Sequence, residues 1–277
     1  MRYPVPFVIF LLAINSFKIA IAQSLRYHVA LPYVGLSAYS GSQNDPFSFT
    51  ANQAALAKNT QAGIGLYGEQ RYLLAATNSY AVAGTLPTNM GSFGMQLNYS
   101  GFKNYNEHTI GLAYARSLGA KMDIGIQFNY FGYSIPAYGN ASTINVEAGA
   151  IIHFTDKLNG GFHIYNPAGG KLNKADGEKL AAVYTMGLGY DASTNFYVGA
   201  GIIKEEDKPV NVETGFQYHF SKQFFVRGGF MSVSSTAFAG TGVGWNNLRL
   251  DVSGSYHPQL GFSPGVLLIA YFGNRKE

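Results

Sequence analysis

Five charged side chains, Glu147, Glu213, Arg227, Arg249 and Asp251, stand on the polar side of segments whose other side is apolar, with Asp123 nearer the end of a similar segment. Charges of both signs turned into one shared interior could line a polar path, grip a segment threaded between them, or pair with one another as filling. Other constellations point to less. Gly63-Ile64-Gly65-Leu66-Tyr67-Gly68 has the G-x-G-x-x-G spacing of a dinucleotide loop, but lacks the following helix and acidic partner that such a loop needs. The six histidines are scattered, with no H-x-x-H or H-E-x-x-H spacing. His153 and His219 fall on polar faces and His257 at a segment end. A hydrolase would need a Ser, a His and an orienting group brought together from distant segments. No spacing indicates one, so the histidines read as interior hydrogen-bonding groups. Lys204-Glu205-Glu206-Asp207-Lys208 matches no metal loop and reads as a solvated tip. Neither an enzymatic activity nor a cofactor or metal is expected.

The elements that position these residues are written in the period. Past residue 60 the chain alternates almost everywhere. Met122, Ile124, Ile126, Phe128 and Tyr130 oppose Asp123, Gly125, Gln127 and Asn129; successive strand side chains point to opposite faces, so one face is greasy and the other polar or small. Ile144, Val146, Ala148, Ala150, Ile152 and Phe154 oppose Asn145, Glu147, Gly149 and His153. Val210, Val212, Phe216, Tyr218 and Phe220 oppose Asn211, Glu213, Gly215, Gln217 and His219, and Leu248, Leu250, Val252 and Tyr256 oppose Arg249, Asp251, Ser253 and Ser255.

Composition says what surrounds them. Aromatic residues make up 15% of the chain and charged residues only 12%, with 34 Gly and no Cys. A soluble domain carries charge at about a quarter of its positions. No segment after residue 22 approaches the roughly twenty unbroken apolar residues of a membrane helix. The membrane structure left is a closed barrel, which satisfies its backbone between strands. Charge on its lipid face would cost about 2–4 kcal/mol for Arg or Lys at the midplane, so the charged face is the lumen face. The net charge of +4 is spread thinly, with no basic cluster for nucleic acid.

Residues 1–22 read as a signal peptide for Sec export: Arg2, an apolar run from Val5 to Ile14, then Ala20-Ile21-Ala22. Lys18 interrupts the run, which is too short to span a bilayer. The barrel then occupies residues 61–277. The fold expected is all-β: a transmembrane antiparallel barrel of about fourteen strands, near 61–69, 71–84, 90–102, 105–118, 121–134, 142–155, 157–166, 178–192, 195–204, 208–220, 223–233, 236–246, 248–257 and 262–273. Links after even-numbered strands are tight, as at Gly119-Ala120, Ser221-Lys222 and Asn246-Asn247; several odd links are longer or more charged. Short periplasmic turns and longer outer loops give that parity when the first strand runs outward, placing Lys157, Lys222 and Asn247 inside and Lys174 and Glu206 outside. Residues 23–60 do not alternate; Leu31, Tyr33, Phe47 and Phe49 are too apolar to prefer water, and the segment is expected to fold into the lumen as a plug.

Asn52-Gln53-Ala54-Ala55-Leu56-Ala57 resembles the N-P-A-x-L-A segment near the start of fatty-acid-channel-like barrels, the group of FadL-type transporters and of the PorV/PorQ proteins of type IX secretion in Bacteroidota. Gln53 stands where that family usually has Pro. Tyr114-Ala115-Arg116-Ser117-Leu118 followed by Met122-Asp123-Ile124-Gly125, and Phe162-His163-Ile164-Tyr165-Asn166-Pro167, are similar to PorV/PorQ barrels. The resemblance implies a fourteen-stranded outer-membrane barrel with an N-terminal plug, and transfers no ligand residue. Plug–wall contacts are expected at Asn52 and at Glu147, Glu213, Arg227, Arg249 and Asp251. Two functions follow: a passive channel for a small hydrophobic molecule, or a PorV/PorQ-like accessory of a secretion or assembly machine. Roughly eighteen residues per strand and link leave no large outer-loop domain to capture substrate, which favours the accessory. The partners expected are outer-membrane lipid and lipopolysaccharide, with secretion proteins under one reading and a small hydrophobic ligand under the other.

Overall fold

The computed structural model describes residues 33, 40–41, 43–136, 139–170, 172 and 180–273. The expected signal peptide and Lys174 lie outside the described residues. Strands form where alternation is strict: β1 (Ala62–Gln70), β2 (Asn78–Thr88), β3 (Gly91–Phe102), β4 (Tyr105–Leu118), β5 (Met122–Ile135), β6 (Gly139–His153), β7 (Leu158–Tyr165), β8 (Val183–Asp191), β9 (Phe196–Glu205), β10 (Asn211–His219), β11 (Phe224–Met231), β12 (Thr236–Trp245), β13 (Leu248–His257) and β14 (Gly261–Phe272). Each pairs antiparallel with its neighbours in sequence, and β14 closes on β1 from Ala62↔Phe272 to Glu69↔Gly265. Closure leaves no strand edge unpaired, which a bilayer demands.

The faces follow the alternation. Ile126, Phe128 and Tyr130 are exposed on the outside of β5, whereas Asp123, Gln127 and Asn129 are buried inside. Phe154, Tyr218 and Tyr256 add exposed aromatics near strand ends, where a barrel meets the bilayer interface. All even-numbered strands but the last end in tight turns at one end of the barrel; β7 and β8 are joined by the longest connection, at the opposite end.

Two strand starts differ from expectation by five residues or more. The second strand begins at Asn78 rather than 71, because the chain turns at Arg71–Leu73, where Tyr72 and Leu73 both take left-handed backbone with φ 56°. The apolar residues Leu73, Leu74 and Ala75 had read as strand; tertiary turning overrides that local preference. The eighth begins at Val183 rather than 178, because the chain before it folds back: Leu180 N–H donates to the Gly170 carbonyl at 2.8 Å.

Residues 43–60 run along the inner wall. Phe47, Phe49 and Leu56 are buried with Tyr33 and Tyr67 against Ala83, Ala113, Ala115, Leu267 and Ile269. The small wall residues make that fit possible. A Cβ on Gly94 would lie 3.1 Å from Leu56 and Phe49, and one on Gly65 would collide with the Phe47 ring. The 3-10 helix Gln53–Lys58 starts at Asn52, whose side chain accepts from Ala54 N–H in the manner of an N-cap.

Candidate functional site

Three polar stations of the lumen wall hold this inner segment. The first is built by β5, β6 and β7, where period two puts Gln127, Asn129, Asn145, Glu147 and His163 on one inward face. Asn129 donates to Glu147 Oε1 at 2.6 Å and to Asn145 Oδ1 at 3.0 Å, and Gln127 donates to Asn129 Oδ1 at 2.7 Å. His163 Nε2 lies 3.0 Å from Glu147 Oε2, and the Gln53 amide donates to that same oxygen at 2.7 Å. Beside it the Asn52 amide reaches the carbonyls of Phe162 at 3.3 Å and Ala150 at 3.4 Å. Gly125 and Gly149 permit the approach: a Cβ on Gly125 would lie 2.5 Å from the Gln53 carbonyl carbon, and one on Gly149 would run into the Asn52 side chain. Glu147 of the wall and Asn52 of the inner segment both belong to this station.

The second station lies on β11 and β13. Arg227 pairs with Asp251, and Arg249 binds Asp251 through Nε and Nη2 at 3.0 and 2.9 Å. Arg249 Nη2 also donates to Asp45 Oδ2 at 2.7 Å and to the Tyr33 hydroxyl at 2.8 Å, while Tyr33 donates to Asp45 at 2.8 Å. Two arginines face two carboxylates, so the buried charge is balanced, as burial requires. Aromatic faces complete it. Tyr33 stacks on Phe47 at 5.7 Å, and Arg227 lies 5.1 Å from the rings of both Tyr33 and Phe225. Wall charges thus both pair with one another and grip the segment.

The third station is the rim at the tight-turn end. Both His153 ring nitrogens are engaged, one with Asn159 and one with Asp123, each at 2.6 Å, and Lys58 lies 3.5 Å from Asp123. Ser40 Oγ and Gly41 N–H each donate to Asp191 at 2.8 Å. A polar cavity of about 530 Å³ opens alongside, lined in part by Lys58, Asn59, Gln217, His219, Lys222 and Arg249. Glu213 is not drawn into any station. It is buried on the lumen face of β10, and among the described residues no hydrogen bond or ion pair reaches it.

The opposite end holds an apolar group beside charged loops. The β7–β8 connection brings Leu172 and Leu180 onto Phe131, flanked by Tyr133 and Tyr165. Asn166 pins this fold with its amide on the Leu180 carbonyl at 2.5 Å. Sequence reasoning named Tyr33 only as an apolar residue of the inner segment and His163 only within a motif, and did not single out Asp45, Asp191 or this apolar group. Period two along β7 and β8 is the signal that could have found His163 and Asp191, which face inward; spacing carries none for the rest.

No protein-family description matches the sequence, and no curated protein matches it. Solved structures do match in fold. The monoaromatic hydrocarbon channel CymD superposes with a TM-score of 0.66 at 11% identity, over 89% of this chain and 97% of that one. The toluene transporter TbuX of Ralstonia pickettii gives 0.63 at 11% identity, over 89% and 98%. A FadL homologue of Pseudomonas aeruginosa gives 0.52 at 13% identity, over 85% and 94%. The PorV/PorQ resemblance of the short motifs finds no counterpart among these three. The protein is a closed fourteen-stranded antiparallel barrel with the fold of FadL-like outer-membrane channels.

Proposed function

We propose that this protein is a passive outer-membrane channel for small hydrophobic molecules. The observation that carries the reading is the apolar group of Phe131, Leu172 and Leu180 at the end opposite the tight turns. The group is buried on itself with the partly exposed rings of Tyr133 and Tyr165 beside it, an apolar surface at the mouth onto which a molecule leaving lipopolysaccharide or water can partition. The fold likeness supports it, since CymD and TbuX are described as a hydrocarbon channel and a toluene transporter. Compactness, which favours a secretion accessory, is outweighed in this reading by the likeness to CymD, which extends over 89% of this chain and 97% of that one. In this reading residues 1–22 direct Sec export, the tight turns face the periplasm, and residues 23–60 act as a plug. The test is uptake of radiolabelled toluene by cells expressing the protein against cells expressing Leu180→Glu. Faster uptake than in empty-vector cells, reduced by the substitution, is expected. Uptake no faster than the empty vector, with heat-modifiable barrel present in the membrane, would overturn the proposal.

A further inference from the structure

We infer that Glu213 is a recognition point for cations in the lumen, so that the channel takes apolar amines in preference to apolar carboxylates. The inference rests on the channel reading and adds a charge rule to it. The other lumen acids have partners. Asp45 and Asp251 pair with arginines, Asp123 with His153 and Lys58, and Glu69 with Arg71 at 3.5 Å. Glu107 accepts from Tyr105, and Glu147 accepts from Gln53 and Asn129. Glu213 is 2% exposed, its Oε2 has no partner, and no described residue donates to it. A nearly buried carboxylate without a donor is destabilised in its charged form, and an ammonium brought beside it from the lumen supplies both opposite charge and donors.

The surroundings suit an apolar amine. The carboxylate leans across β9, where a Cβ on Gly201 would lie 2.9 Å from Oε1, and Ile203 faces the lumen on the same strand. Two residues along β10, Gly215 pairs with Gly229, which lies under the Phe238 ring; Phe238 packs with Tyr197. An aromatic surface near a carboxylate favours an alkylated cation. Charge is also divided along the barrel. Arg227, Arg249 and Lys58 lie toward the tight-turn end, each against an acid. Between the apolar mouth and that end, the described strand positions facing the lumen include Glu107, Glu147 and Glu213 but no Lys or Arg, while Glu69 near the mouth is matched by Arg71. A carboxylate moving inward meets like charge, and an ammonium meets its complement.

The experiment uses full-length protein in nonionic detergent carrying the neutral dye N-phenyl-1-naphthylamine, displaced by decanol, decylammonium or decanoate. In the native protein decylammonium is expected to displace the dye at concentrations roughly tenfold below those of decanoate, the factor one charged hydrogen bond implies. In Glu213→Gln the advantage of decylammonium over decanol should fall to within about twofold. Equal potency of amine and carboxylate in the native protein, which needs no variant, overturns the inference. So does an amine preference that survives in folded Glu213→Gln. Either result leaves the channel reading standing if decanol still displaces the dye. Failure of decanol to displace it would remove the channel reading and the inference together.

Discussion

Glu147 accepts hydrogen bonds from three amides and lies against the His163 ring, and one of those amides, Gln53, belongs to the inner segment. Replacing it by Ala leaves those donors buried without an acceptor, at about 1–3 kcal/mol for each orphaned group and less than additively. Glu147→Ala is therefore expected to lower the temperature at which the heat-modifiable band unfolds, and by more than Gln53→Ala, which orphans only the carboxylate's share. An equal or smaller loss in Glu147→Ala would mean that Glu147 does not organise the wall. Alternation alone put Glu147, Arg227, Arg249 and Asp251 inside, because a strand's period reports which face a residue takes. It carries no information on depth or on position around the barrel. That Arg249 meets Asp45 and Tyr33, 204 and 216 residues away, could not be read from spacing. Nor could spacing show that Glu213, on the same face as the rest, has no partner among the described residues.

At the scale of the element, turn chemistry decided where period was ambiguous. The parity of tight and long links was legible because turn residues and strand length both recorded it, whereas Arg71-Tyr72-Leu73 reads as strand and turns instead. The 3-10 helix Gln53–Lys58 depends on an absence of side chain in the strand beneath it. A Cβ at position 125 would lie 2.5–2.7 Å from backbone atoms of Gln53 and Ala54, and backbone has no rotamer by which to yield. Gly125→Ala should leave the strand ladder intact but lift the helix from β5, breaking the Gln53–Glu147 bond. The expected readout is normal heat-modifiability with faster protease cleavage between residues 43 and 60. Unchanged cleavage in a folded variant would show that the helix is not seated on Gly125.

The whole molecule has two chemically different ends, and a chain threaded inside it. If the tight turns are periplasmic, single cysteines at Lys157, Lys222 and Asn247 should resist a membrane-impermeant reagent on intact cells, while one at Glu206 should label. Labelling at 222 in a folded variant would invert the barrel and with it the direction of transport. The inner segment supplies the last test. Asp45 and Tyr33 hold Arg249, Gln53 holds Glu147, and Ser40 and Gly41 hold Asp191, so one segment is fastened to widely separated parts of the wall. The wall does not need it to close, because all fourteen strands are joined by their own ladders, β1 to β14 included. Deleting residues 24–56 should therefore yield a barrel that still inserts and remains heat-modifiable, but unfolds at a lower temperature, since Arg249, Glu147 and Asp191 lose the partners that the segment supplies. Water would reach those charges, and planar-bilayer recordings should show a several-fold rise in ion conductance over the intact protein. A folded deletion variant with unchanged conductance would mean the lumen is sealed by the wall itself, and the segment could then be neither plug nor gate. A variant that fails to insert would make the segment part of the folding core.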